Sequence, residues 1–132
     1  MKFMVIVKGC NGEHTPGPNF PAEMGKYNEE LHNAGVLLAL EGLAPATTAT
    51  CVTFTGKNQI ATDGPFAESK ELVGGFWLWN CTSQEEALEW LKRAPFEKAN
   101  VEIRQVVEDF AESFARAYRE QNEITGTKLP AH

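Results

Sequence analysis

Cysteine is scarce in this chain. The three present, Cys10, Cys51 and Cys81, are odd in number and widely spaced, with no Cys-x-x-Cys. That argues against a disulfide framework and a structural zinc site, and it predicts reduced thiols in a cytoplasmic protein. Histidine is as sparse. His14 lies in a Gly/Pro loop, His132 is the last residue, and His32 sits near the end of a predicted helix, where its positive form suits the dipole. None joins a cluster with metal-ligand spacing. Basic residues are also few: 12 Lys and Arg against 18 Asp and Glu give a net charge of -6, and they are scattered. A duplex or an anionic membrane surface is repelled by such a balance, so no nucleic-acid or membrane partner is expected. Long apolar runs are missing too. Residues 3–7 are apolar but Lys8 closes them, which is too short for a secretory h-region, and nothing approaches the roughly 20 apolar residues of a membrane span. A glycine-rich phosphate loop and a nucleophile elbow are both lacking, and no cofactor is expected.

What is present reads as one soluble domain over residues 1–121, followed by a flexible tail over 122–132. Residues 2–8 alternate as a strand apolar on both faces. After a loop rich in Gly, Pro and Asn, Asn19 is placed to cap a helix carrying Met24, Tyr27, Leu31 and Ala34, and Gly35 is placed to stop it. A strand over 36–40 ends in Glu41-Gly42. Residues 51–55 and 59–62 flank Gly56-Lys57-Asn58, a hairpin signature, and 72–81 is a further strand. Ser83-x-x-Glu86, backed by Thr82-x-x-Glu85, is a capping box opening a helix that Pro95 ends. A last strand holds Val101 and Ile103. Residues 109–121 form a terminal helix with Phe110, Phe114 and Tyr118 spaced for core or dimer packing, or for docking another protein.

With the hairpin set aside, the order β-α-β, β-α-β predicts an α+β, ferredoxin-like split βαβ fold: an antiparallel sheet with both helices on one face, plus an inserted β-hairpin and a C-terminal helix. Trp77 and Trp79 alternate with Phe76 and Leu78, so both faces of their strand are apolar. A second subunit packed sheet to sheet is the expected cover, giving a homodimer.

Residues 63–77, Asp-Gly-Pro-Phe-Ala-Glu-Ser-Lys-Glu-Leu-Val-Gly-Gly-Phe-Trp, carry more charge than a turn and a strand require. Together with Tyr27-Asn28-Glu29-Glu30-Leu31, Ala34-Gly35-Val36-Leu37, Glu41-Gly42-Leu43 and Ala87-Leu88-Glu89-Trp90, they resemble the DGPF subgroup of the YCII-related proteins over about residues 1–108. The resemblance implies a dimeric α/β barrel. In smaller YCII-type proteins it also implies a His/Asp centre, from a histidine early in the first helix and an aspartate after the second. Here Glu23 stands in the histidine's place and Ala94 in the aspartate's.

Three carboxylates are candidate catalytic groups. Asp63 is a turn residue or a general base at the barrel mouth. Glu41 ends an apolar run, so partial desolvation would raise its pKa as acid/base work requires. Glu23 lies one turn before Tyr27 on the same helix face. Tyr27, Phe66, Glu68, Lys70 and Trp77 are the expected pocket residues. Glu68, Lys70 and Glu71 read equally as a solvated edge, and Gly74-Gly75 as a bulge or a close backbone approach. Two functions follow. One is a dimeric module that binds a small molecule or regulates. The other is a cofactor-free enzyme performing isomerisation, elimination or a dehydrochlorination-like step on a small, aromatic substrate.

Overall fold

A computed structural model describes residues 1–9, 17–64 and 72–125. Four strands make the main sheet: β1 (Lys2–Gly9), β2 (Leu37–Gly42), β5 (Leu72–Asn80) and β6 (Asn100–Gln105), in the order β2-β5-β1-β6 with every neighbour antiparallel. Helices α1 (Phe20–Asn33) and α2 (Gln84–Lys92) are the crossovers, and β3 (Thr50–Thr55) with β4 (Asn58–Asp63) forms a separate hairpin between β2 and β5. Counting only the main-sheet strands, this is the split βαβ order expected of a ferredoxin-like α+β fold.

Local chemistry accounts for the helix ends. Asn19 occupies the N-cap of α1 but makes no side-chain capping bond there, and Pro21 fits the first turn. Gly35, with φ +74°, takes the left-handed conformation that ends α1. At α2 the Ser83 hydroxyl accepts from the Glu86 amide, as a capping box requires. The Glu86 carboxylate returns to the Thr82 amide rather than to Ser83, so the box is shifted by one residue and the Thr82/Glu85 version is unused.

The core lies on one side of the sheet. Phe3 and Val5 of β1 and Trp77 and Trp79 of β5 are buried with Tyr27 and Leu31 of α1 and Ala87 of α2. Trp77, Trp79, Tyr27 and Phe96 form a linked set of rings with centroids 5.6–6.0 Å apart. The opposite face carries the alternate residues. Met4 and Ile6 pair with Leu78 and Phe76, and Glu102 of β6 pairs with Ile6. These apolar side chains are only half-buried. Within the described residues no helix is long and apolar enough to cross a membrane.

One boundary and one burial differ from the sequence reading. The last helix, α3 (Phe110–Thr125), runs through residues 122–125, which the periodicity assigns to a tail. Its aromatics do not enter the core: Phe110, Phe114 and Tyr118 are all exposed, because β6 leads α3 away from the sheet without returning its apolar stripe to it.

Candidate functional site

Position along α1 determines which side chains meet. Glu23, Lys26, Tyr27 and Glu30 recur at helical spacing and share a face, and that face meets the end of α2. There they line a cleft of about 190 Å³ with Arg93 and Pro95. Glu30 and Arg93 form an ion pair across it, N···O 3.2 Å, and the Arg93 guanidinium lies over the Trp90 ring, 4.4 Å from its centroid. Four charges of alternating sign thus surround a recess lined also by the Tyr27 ring and Pro95.

Tyr27 is the hinge of this arrangement. It is 4% exposed, and its hydroxyl donates to the Trp90 backbone carbonyl, tying α1 to the last turn of α2. Burial pushes its pKa far above the usual tyrosine value, with Arg93 opposing and Cys81 and Glu30 adding smaller effects. The phenol therefore stays protonated and engaged. Below the floor, the Trp77 indole N–H donates to Asn28 Oδ1 at 3.0 Å, so Trp77 supports the cleft from the core.

The sign of one consequence is fixed. A folded pKa raised above the unfolded 10.0 contributes stability that is complete below pH 10 and is lost as pH rises beyond it, since only the unfolded tyrosine ionises there. Tyr27→Phe is expected to flatten the fall in stability above pH 10 in urea titrations. At neutral pH it should cost about 0.5–1.5 kcal/mol for the lost hydrogen bond, because the Trp90 carbonyl still accepts from the Arg93 amide.

The other carboxylates lie elsewhere. Glu41 is paired with Phe76 in the β2–β5 register, and successive strand residues face opposite ways. It therefore belongs to the sheet face away from α1. Its side chain is exposed, so the desolvation expected from its place after an apolar run is absent in the single chain. Asp63 ends β4, where its Oδ1 accepts from the Thr50 hydroxyl at 3.0 Å across the hairpin. The neighbouring Gly64 amide donates to the Ala49 carbonyl at 2.7 Å. A threonine hydroxyl of the paired strand thus holds the carboxylate where a turn would offer backbone amides, and Pro65, which would continue that turn, lies outside the described residues. Phe66, Glu68, Lys70 and Glu71 lie outside the described residues. The cleft gathers Glu23 and Tyr27, with Trp77 beneath, but neither Glu41 nor Asp63.

Lys26, Glu30 and Arg93 escaped the sequence reading. The first two share the Glu23–Tyr27 face and were legible from spacing alone. Arg93 was not, since only tertiary packing brings it to α1. Among the described residues no group of three His, Cys, Asp or Glu could hold a metal ion.

The YCII-related domain model matches residues 1–110. The chain belongs to the YCII-related family. A curated relative from Rhizobium meliloti (strain 1021), an uncharacterised protein, is 41% identical over 70 residues, covering 53% of this chain and 56% of the relative. The chain thus spans little more than half the length of that relative. In this YCII-related protein Glu23 and Pro95, the latter adjoining Ala94, line one cleft. Ala94 itself is packed against the core and does not line the cleft.

Proposed function

We propose that this YCII-related protein, as a member of the DGPF subgroup, is a dimeric, cytoplasmic small-molecule-binding or regulatory module whose ligand sits in the Glu23–Arg93 cleft. The observation that carries this reading is the commitment of the groups there: Tyr27 is bonded to Trp90 and Arg93 is paired with Glu30. Tyr27 is kept protonated by burial and Arg93 is always charged, so both recognise a ligand without exchanging protons with it. Lys26 and the remaining guanidinium N–H groups supply cationic contacts, and the Tyr27 ring and Pro95 in the lining favour a flat partner. A small aromatic acid meets both requirements. The dimer reading is supported by the half-buried Met4, Ile6, Phe76 and Leu78 on the open sheet face, which a second sheet would cover.

Thermal denaturation with benzoate and related aromatic acids tests the reading. A ligand at one hundred times its Kd stabilises by about 2.7 kcal/mol. Arg93→Ala is expected to weaken binding at least roughly tenfold, as losing a charged hydrogen bond does, while Asp63→Asn leaves binding unchanged. The reverse pattern would move the site to the hairpin. Conversion of the acid by the wild type, lost in Glu23→Gln, would establish the acid/base enzyme instead.

A further inference from the structure

The family match ends at residue 110, so α3 lies almost wholly beyond it. Phe110, Phe114 and Tyr118 are 60%, 62% and 41% exposed, and the two phenylalanine rings stack edge to face at 4.9 Å. With roughly 150–250 Å² on each such side chain, about 300 Å² of aromatic surface is left in water. A patch of that size on a monomer is often functional.

We propose that α3 pairs antiparallel with α3 of a second copy about a twofold axis through Phe114. The sequence around that residue is palindromic in side-chain size. Phe110 and Tyr118 stand four residues to either side, Ala111 and Ala117 three, Ser113 and Ala115 one. An isologous interface sets each position against its mirror image, so large meets large along the stripe and the alanines beside it let the backbones approach.

The charged groups also keep clear of the stripe. At 3.6 residues per turn the aromatics span about 80° of the helix, while Glu112, Arg116 and Arg119 fall on the far side. There Arg119 donates to Glu112 within the chain. A membrane-surface helix would instead show a basic polar face, and the charged residues of α3, Glu112, Arg116, Arg119, Glu120 and Glu123, sum to -1. Two such stripes bury less than the roughly 1,200 Å² of a standard interface. The pair therefore reinforces self-association made elsewhere, a point that rests on the sheet-to-sheet dimer proposed above.

Cross-linking reads α3 on its own. In the full chain with Cys10→Ser and Cys51→Ser, Phe114→Cys is expected to form disulfide-linked dimers at least tenfold faster than Arg116→Cys under mild oxidation. Equal rates, or no cross-link at either position, would overturn the pairing whatever becomes of the sheet-to-sheet dimer. In sedimentation equilibrium Phe114→Glu should raise the dissociation midpoint of the assembly at least tenfold. An unchanged midpoint means that the stripe serves another partner, and the proposal fails.

Discussion

Trp77→Ala is expected to destabilise the protein by roughly 3–5 kcal/mol, the range for a large aromatic removed from a packed core. Trp77 is 2% exposed and sits where three other rings meet. Its neighbours belong to α1, to β5 and to the segment after α2, so they cannot collapse together into the space left behind. The loss also strands Asn28, which accepts the indole N–H. Trp77→Phe keeps most of the packing and forfeits that bond, and should cost less than half as much. Against a typical total of 5–15 kcal/mol the alanine variant approaches global unfolding. Urea denaturation followed by far-UV circular dichroism measures both. An alanine cost below about 1.5 kcal/mol would show that the rings do not act as one core.

The second large effect is expected at Gly75. A methyl group there would lie 2.8 Å from the Glu41 carbonyl oxygen, closer than real contacts allow. The obstacle is backbone of the paired strand β2 and cannot rotate aside. Gly75→Ala should therefore cost about 1–3 kcal/mol, as overpacking does, through separation of β2 from β5. Gly74 is the control. It is the extra residue of a bulge opposite the Val7/Lys8 step, and a methyl there comes no nearer than 3.9 Å to the Val7 carbonyl oxygen. Gly74→Ala should cost less than half as much. If the two variants unfold at the same urea concentration, close strand approach is not what glycine provides at 75.

These glycines show how far sequence carries. A Gly-Gly pair inside an apolar run signals a bulge or a close approach, and the fold contains one of each, side by side. The capping box at Ser83, the stop at Gly35 and the Gly56-Lys57 hairpin were equally legible, because each depends on residues a few positions apart. The split βαβ order followed from those elements together. The site was harder. Glu23 and Tyr27 could be placed on one face from spacing, but Trp90, which accepts from Tyr27, and Arg93, which joins them in the cleft, come from the end of α2, more than sixty residues on. Glu41 and Asp63 looked like members of the same site since nothing local reveals which sheet face, or which sheet, a strand-end carboxylate will occupy. Alternation in the β2–β5 register assigns Glu41 to the face opposite α1, and hairpin pairing gives Asp63 to Thr50. The stripe of α3 was visible as periodicity. Its exposure was not, since an amphipathic pattern states that a face needs covering without saying by what.

The proposed role of the cleft between α1 and α2 is to hold a ligand without transforming it. Titration of the ¹⁵N-labelled protein with benzoate, followed by ¹H–¹⁵N correlation spectra, tests that most directly. The expected result is a set of saturable shifts centred on the amides of Lys26, Tyr27, Glu30 and Arg93, with the benzoate signals unchanged on long incubation. Shifts centred on Glu41, Phe76 and Leu78, or the absence of any saturable shift at millimolar benzoate, would contradict it.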